Sequence, residues 1–257
     1  MTTIASFSPA KVNLFLNLVG KRADNYHLLQ SLMVLLNIGD VVIMQPAPEL
    51  SCTLYTGCLE QLEDFIMQQS ASFPSKIQAC DSSLLKLLTS QPSVKLERTN
   101  NLVLHAAQAL QKTLKISSGA RIAIYKKIPF AAGLGGGSSN AATAVRMLLS
   151  LWQAQLELSQ LIELLTPFGA DIPFFLAGVR NAIVSGIGER VYPVKLDLSE
   201  LQLLLVNPQL QIVTADVYKR VSPVSWSALV DQYNLTIIKR LSIYGDNEIL
   251  RVFTRQA

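Results

Sequence analysis

The sequence predicts an α+β fold. Segments with the two-residue period of strands and segments with the 3.6-residue period of helices follow one another without strict β-α-β alternation, which favours this class over a doubly wound sheet. Half of the 257 residues are hydrophobic and 16% are charged, so the chain can bury a sizeable core. A chain of this length forms one large domain or two modest domains that share a cleft.

The first predicted element is a strand at Val12–Leu18, where side chains alternate as in a half-buried strand, followed by a turn at Gly20–Asn25. Further strands are predicted at Asp40–Gln45, Ser51–Thr56, Arg121–Lys127, Ala182–Ser185 and Leu201–Val206. Helices are predicted at Ser83–Leu88, at Asn101–Leu114, from Ser138 to about Gln153, and from an N-cap at Ser159 to about Gly169. Residues 57–99 otherwise carry no recognisable chemistry.

Charge and composition argue against several classes of partner. The formal net charge is +4, and the basic residues are scattered in pairs rather than concentrated in a patch, so neither nucleic acid nor a membrane is predicted as a partner. The absence of a secretory pattern and of an apolar run near the roughly 20 residues of a membrane span predicts a cytosolic protein. The three cysteines and two histidines include no Cys-x-x-Cys pair, so no zinc site or disulfide framework is predicted.

A glycine-rich loop between a predicted strand and a predicted helix is the strongest functional signal. It reads PFAAGLGGGSS, and its four glycines let the backbone adopt positive φ and approach a ligand closely. The free N–H groups and the macrodipole at the start of the helix attract anions. The loop therefore predicts a polyphosphate site. Its residues are Pro129, Phe130, Ala131, Ala132, Gly133, Leu134, Gly135, Gly136, Gly137, Ser138 and Ser139.

Two other glycine motifs are excluded at this loop. A Walker A loop requires a lysine directly after its last glycine, and none is present here. The dinucleotide fingerprint requires glycine at position 138, where serine stands. A merely flexible turn is a poor explanation for four glycines that lead into a long alanine-rich helix.

The loop resembles the phosphate loop of the GHMP kinases, a superfamily that includes galactokinase, homoserine kinase and mevalonate kinase. Four segments, in the same order, are similar to the 4-diphosphocytidyl-2-C-methyl-D-erythritol kinase family of the non-mevalonate isoprenoid route. They are Ser8–Leu14 (SPAKVNL), Gly20–His27 (GKRADNYH), Phe168–Phe175 (FGADIPFF) and Gly186–Glu189 (GIGE). Asn25 stands where that family usually has glycine, and asparagine also tolerates left-handed geometry.

The resemblance implies a two-domain GHMP kinase fold. A ribosomal-protein-like N-terminal α/β domain would bind the nucleotide and span residues 1–155, and a C-terminal α+β domain would span residues 156–257. The last glycine-rich segment of the family has no counterpart at the carboxyl end, so the resemblance implies an incomplete C-terminal domain. It also predicts a chain that binds ATP with little or no turnover.

The resemblance further implies phosphorylation of the 2-hydroxyl of 4-diphosphocytidyl-2-C-methyl-D-erythritol, with ATP and Mg²⁺. Asp171 would accept the hydroxyl proton and Lys11 would stabilise the developing charge. The residue pattern around Asp171 alone equally suits a helix N-cap, since Pro173 follows. Asn13 would bind substrate beside this pair. Ser138 is the one residue suggested as a ligand of Mg²⁺, and no other metal ligand is predicted.

The same resemblance implies where the two bases bind. Tyr26, His27 and Tyr218 would contact the cytosine, His27 on its polar edge and the tyrosines on its faces, although Tyr218 alone equally suits a surface aromatic. Asn101 would lie on the adenine side of ATP. Two alternatives stay open: another GHMP kinase of the mevalonate or homoserine type, and a non-catalytic nucleotide-binding remnant. The oligomeric state is not indicated by the sequence.

Overall fold

The computed structural model describes residues 3–56, 62, 65, 75–80, 82–94, 101–198 and 201–207. Strands and helices alternate irregularly along this part of the chain. The strands are β1 (Thr3–Lys21), β2 (His27–Ala47), β3 (Ser51–Tyr55), β4 (Gln78–Cys80), β5 (Ser93–Val94), β6 (Gly119–Tyr125), β7 (Asn181–Gly186) and β8 (Arg190–Pro193). The helices are α1 (Ser82–Thr89), α2 (Leu102–Leu114), α3 (Gly136–Leu151), α4 (Leu158–Leu165) and α5 (Ile172–Leu176), with a 3₁₀ turn at Thr166–Phe168.

A long antiparallel pair, β1 and β2, forms the spine of one sheet. The sheet runs in the order β4-β1-β2-β6-β3-β5, and β7 pairs with β2 and β8. The first half of β2 pairs with β7 and its second half pairs with β6, so β2 connects all parts of the sheet. In the described residues, all ladders are antiparallel except the one between β3 and β6. A largely antiparallel sheet with helices packed on it confirms the predicted α+β class.

The core lies on both faces of this sheet. Val42 and Met44 of β2 pack with α2 and α3, whereas Val41 and Ile43 pack with α1 on the opposite face. Because successive side chains of a strand point to opposite faces, a strand covered on both faces reads as a continuous apolar run. This double burial explains why β2 carries VVIM here. None of the described helices is long and apolar enough to cross a membrane.

Most predicted elements are confirmed, and three details are corrected. The helix after the glycine loop begins at Gly136, two residues earlier than predicted. The N-cap of α4 is Glu157 rather than Ser159, because the Gln160 side chain accepts a hydrogen bond from the Glu157 N–H at 3.0 Å. The strand predicted at Leu201–Val206 is wrong. Those residues join no ladder within the described part of the chain, since an apolar run forms a strand only beside a partner.

The hydrophobic core continues across residue 155, the predicted boundary between domains 1–155 and 156–257. Leu161 of α4 and Phe174 of α5 belong to the same cluster as the inner residues of α2 and α3. Strand β7 also joins the sheet of the amino-terminal half. Because residues 208–257 lie outside the described residues, the two-domain division stays a prediction.

The carboxylate of Asp40, at the centre of β2, ties three parts of the fold together. Asp40 is fully buried and forms an ion pair with the Lys126 ammonium. The N–H groups of Lys127 and Ile128 each donate to it at 2.8 Å, and the Asn140 side-chain amide of α3 donates at 3.0 Å. The end of β6 and the first turns of α3 are therefore fixed to β2, on either side of the glycine loop.

We predict that Asp40→Ala destabilises the fold by about 3–5 kcal/mol, because it leaves the Lys126 ammonium and two backbone N–H groups buried without an acceptor. The matched control is Asp24→Ala, which breaks an exposed pair with Arg22 and is expected to cost at most about 1 kcal/mol. Urea unfolding of both variants measures the difference. Similar losses in the two variants would show that Asp40 does not anchor this region.

Candidate active site

A cavity of about 710 Å³ lies between β1, the glycine loop and the first turns of α2 and α3. Residues 129–137 of the loop form one wall, and apolar residues of β1, β2 and β6 form the floor. Seven polar side chains face it: Lys11, Asn13, Asn101, Lys126, Ser138, Asn140 and Asp171. The cavity therefore brings together most residues predicted for nucleotide binding and for chemistry.

The glycine loop packs directly on β1. Gly133 and Gly135 adopt φ values of 71° and 69°. Residues other than glycine rarely adopt such positive values. A Cβ atom at Gly135 would lie 2.9 Å from Lys11 Cγ and 3.0 Å from the Phe175 ring. The Lys11 N–H donates to the Leu134 carbonyl at 2.9 Å, and this bond is available because the β1–β2 register shifts between Pro9 and Lys11.

The start of α3 presents backbone donors to the cavity. Gly136, Gly137 and Ser138 form its first turn and line the cavity. The first N–H groups of a helix have no partner within the helix and carry the positive end of its dipole. The intrahelical series begins with the Ser139 N–H, which donates to the Gly135 carbonyl at 2.9 Å. This wall of the cavity can therefore bind an anion without a charged side chain.

Lys11, Asn13 and Asp171 form a polar triad at the edge of the loop. Lys11 Nζ lies 3.3 Å from Asp171 Oδ2 and donates to Asn13 Oδ1 at 2.8 Å. The side chain of Lys11 is 8% exposed and that of Asp171 is 29% exposed, so the carboxylate keeps access to the cavity while its partner is buried.

Asp171 occupies the N-cap position of α5, but its side chain makes no capping hydrogen bond. The capping role that the sequence left open is therefore not what orients this carboxylate. Helix α5 itself is fixed by Arg146 of α3, whose guanidinium donates to the Phe175 carbonyl at 2.7 Å. Burial lowers the pKa of Arg146 to about 10, which leaves the guanidinium charged at neutral pH.

Asn101 lines the cavity but is also the N-cap of α2. Its side-chain oxygen accepts hydrogen bonds from the N–H groups of Val103 and Leu104, at 3.1 and 3.2 Å. Burial raises the pKa of the Cys52 thiol to about 11, and a hydrogen bond from Asn101 opposes this effect. The amide of Asn101 is thus held by its own chain, and a contact with adenine stays a prediction.

Ser139, Tyr26 and His27 do not line the cavity. Ser139 is fully buried, and its hydroxyl forms a 2.8 Å hydrogen bond with that of Ser8 on β1. Tyr26 is 58% exposed at the tip of the β1–β2 hairpin, where Asn25 adopts the expected positive φ of 70°. Tyr218 lies outside the described residues.

Three residues of the site were missed by the sequence reasoning. Lys126 and Asn140 face the cavity, and Asp40 holds both of them from behind. Asp40 was detectable in part, because it is a lone acidic residue at the start of an apolar strand segment. Its partners were not, since Lys126 and Asn140 lie 86 and 100 positions away.

Known proteins resemble this chain in sequence. Residues 101–179 match the family described as the N-terminal domain of the GHMP kinases. A 4-diphosphocytidyl-2-C-methyl-D-erythritol kinase of Haemophilus ducreyi is 36% identical over 219 residues, which cover 85% of this chain and 64% of the relative. The enzyme of the same name from Psychrobacter cryohalolentis is 35% identical over 224 residues, covering 84% of this chain and 65% of the relative.

Solved structures show the same likeness. A crystal structure of 4-(cytidine 5'-diphospho)-2C-methyl-D-erythritol kinase has a TM-score of 0.56 and 28% identity, and covers 85% of this chain and 65% of that chain. A mevalonate diphosphate decarboxylase from Legionella pneumophila shares the fold, with a TM-score of 0.52 and 13% identity over 84% of this chain and 62% of that chain. The chain spans slightly less than two thirds of the length of its curated relatives. By its glycine loop and by these relatives, the chain is similar to the GHMP kinases, and residues 101–179 match their N-terminal domain.

Proposed function

We propose that this chain is an ATP-dependent kinase that phosphorylates the 2-hydroxyl group of 4-diphosphocytidyl-2-C-methyl-D-erythritol. The 3.3 Å contact between Lys11 and Asp171 beside the glycine loop carries this proposal, because a phosphoryl-transfer site needs a base and a positive charge next to a phosphate cradle. The identity to relatives of that name supports the choice of substrate. The proposed place of action is the cytosol.

In the proposed reaction, the loop and the first turn of α3 hold the phosphates of ATP. The close packing of Gly135 on Lys11 keeps the backbone near the position of the phosphates, as a cradle of N–H groups requires. Asp171 accepts the proton of the substrate hydroxyl while that oxygen forms a bond to the γ-phosphorus. The bond between the γ-phosphorus and the bridging oxygen breaks, and ADP leaves. Lys11 stabilises the carboxylate before transfer and the negative charge that develops during transfer.

Mg²⁺ is part of the proposal, because the charges that line the cavity leave the polyphosphate uncompensated. Lys11 is paired with Asp171, and Lys126 is paired with Asp40. No group of three or more His, Cys, Asp or Glu that could hold a metal ion exists among the described residues. Mg²⁺ usually takes few protein ligands and completes its shell with phosphates and water. Ser138, which lines the cavity, is the proposed protein ligand, and the ion would neutralise phosphate charge.

The cytosine is assigned to the β1–β2 hairpin. Tyr26 presents an exposed ring there, and stacking on one aromatic ring contributes roughly 1–3 kcal/mol per base. His27 follows it at the first position of β2, paired with Lys21. Tyr218 belongs to the proposal on the family resemblance alone. These assignments place the base away from the phosphate loop, so the substrate would extend along β1 from the hairpin to Asp171.

The direct test is ADP release by the purified chain with ATP and each of three alcohols. Turnover with 4-diphosphocytidyl-2-C-methyl-D-erythritol and not with mevalonate or homoserine is the expected result, and its rate also tests the low turnover that the family resemblance implies. Preference for either of the other alcohols would replace the proposed substrate. ATP binding by calorimetry without turnover of any of them would contradict the kinase and leave a nucleotide-binding protein.

We predict that Asp171→Asn lowers kcat by about 10²–10⁴-fold and leaves the Kd for ATP nearly unchanged, since the amide keeps the shape of the side chain but cannot accept the proton. Steady-state kinetics and calorimetry measure the two quantities. Glu163→Gln, the corresponding change at an exposed position of α4, is the control and should alter neither. Full activity of the Asp171 variant would remove this residue from the chemical step.

We predict that Gly135→Ala weakens ATP binding by more than about tenfold, since the new methyl group would overlap Lys11 and the backbone would be strained at positive φ. The control is Gly133→Ala, because Gly133 has nearly the same φ as Gly135 but a Cβ atom there meets nothing within 4 Å. This variant should lose less ATP affinity. Calorimetry with a non-hydrolysable ATP analogue compares the two. Equal losses would mean that strain alone, and not packing on Lys11, controls the loop.

We predict that His27→Ala raises the KM for the cytidine substrate more than the KM for ATP, because a hydrogen bond to the base edge would be lost. The measurement is steady-state kinetics with each substrate varied in turn. His105→Ala, at the chain's second histidine, controls for a general effect on folding. A parallel rise of both KM values in the His27 variant would assign His27 a structural role.

A further inference from the structure

The segment that carries Asp171 is confined on two sides by glycine contacts. A Cβ atom at Gly188, in the turn between β7 and β8, would lie 2.3 Å from the Ala170 carbonyl oxygen. On the other side, a Cβ atom at Gly169 would lie 3.1 Å from the Ser138 hydroxyl. No side chain fits at position 188 without displacing the peptide that precedes Asp171.

Two hydrogen bonds within the turn and to the end of β7 hold the turn that makes this contact. Gly188 adopts a φ of 128°, and its N–H donates to the Ser185 carbonyl at 3.3 Å. The Glu189 carboxylate accepts a 2.6 Å hydrogen bond from the Ile187 N–H. These two hydrogen bonds hold the turn at the end of β7, next to Ala170.

Strand β7 fixes the turn relative to Lys11. Six residue pairs join β7 to the first half of β2, from Leu29–Gly186 to Val34–Asn181. The next residue of β2, Leu35, is the register partner of Lys11 on β1. Lys11 and the turn are thus attached to one continuous strand, whereas Asp171 lies on a short helix outside the sheet.

We propose that the turn Gly186–Glu189 is a positioning element for the reaction. Its backbone contact at Gly188 sets the place of the Ala170 carbonyl and thereby holds the Asp171 carboxylate against Lys11. Because Asp171 makes no capping hydrogen bond of its own, the contact at Gly188 acts on its position together with the Arg146 bond to α5 and the pair with Lys11. This inference rests on the proposed function, since it assigns the turn a role at the same base.

Gly188→Ala should lower kcat by about 10²-fold, the effect of a displacement of about 1 Å at a reacting group, while the Kd for ATP stays within twofold of the parent value. Gly178→Ala is the matched control: Gly178 also has a positive φ, 66°, but a Cβ there meets only the Leu176 carbonyl, at 4.0 Å. The Gly178→Ala variant should keep the kcat and the Kd for ATP of the parent chain. Undiminished kcat in a folded Gly188→Ala variant would overturn the proposal, as would equal losses of kcat and ATP affinity.

A second variant serves where Gly188→Ala does not fold. Glu189→Ala removes the acceptor of the Ile187 N–H and an ion pair with the exposed Arg190, and leaves every glycine in place. It should also lower kcat, by a smaller factor than Gly188→Ala does, and leave the Kd for ATP unchanged. Unchanged kcat in this variant would also contradict the proposal.

A measurement without turnover separates this inference from the proposed function. A carbodiimide couples an ammonium and a carboxylate only when they touch, so peptide mass spectrometry should find Lys11 joined to Asp171 in the parent chain and in Gly178→Ala. The coupled peptide should be lost or strongly reduced in Gly188→Ala and Glu189→Ala. Unaltered coupling in both would overturn the positioning role. A parent chain that couples but does not turn over the cytidine substrate would contradict the proposed function alone.

Discussion

The buried carboxylate of Asp40 is the constraint on which the glycine loop depends. A charged group at the centre of a strand covered on both faces is stable only when it is fully hydrogen-bonded. Asp40 meets this condition through the Lys126 ammonium, two backbone N–H groups that follow β6, and the Asn140 amide of α3. These donors lie on both sides of the glycine loop, so the satisfaction of one buried charge also fixes the two ends of that loop.

The long β1–β2 pair brings the reacting groups to the same loop. The register shift after Pro9 turns the Lys11 N–H towards the Leu134 carbonyl, and the same residue sends its ammonium to Asp171. Lys11 therefore touches the loop through its backbone and the carboxylate through its side chain. Because a Cβ atom at Gly135 would lie 2.9 Å from Lys11 Cγ, a displacement of β1 would disturb the glycine loop and the charge pair together.

Local signals in the sequence predicted most strands and helices, and they predicted the loop, because periodicity and clustered glycines act over a few residues. The pairing of Lys11 with Asp171 came from a family resemblance, since no local pattern connects positions so far apart. The sequence did not show that Ser138 and Ser139 point in different directions, as successive residues of a helix differ by about 100°: Ser138 faces the cavity, whereas Ser139 faces Ser8 of β1. The strand predicted at Leu201–Val206 shows the same limit, since a ladder needs a neighbour that composition cannot supply.

The described site divides its work between backbone and side chains. Both lysines of the cavity are already paired with carboxylates, so neither offers an uncompensated charge to a polyphosphate. In the proposed reaction, binding of the phosphates would then depend on the N–H groups of the loop and of α3, which no titration can remove. In the same proposal, proton transfer is assigned to Asp171, a side chain that takes no part in the loop's own hydrogen bonds. Because these two tasks would use different groups, a change that moves Asp171 should alter turnover and leave nucleotide affinity unchanged. Measuring both quantities for a variant therefore shows which of the two tasks its residue serves.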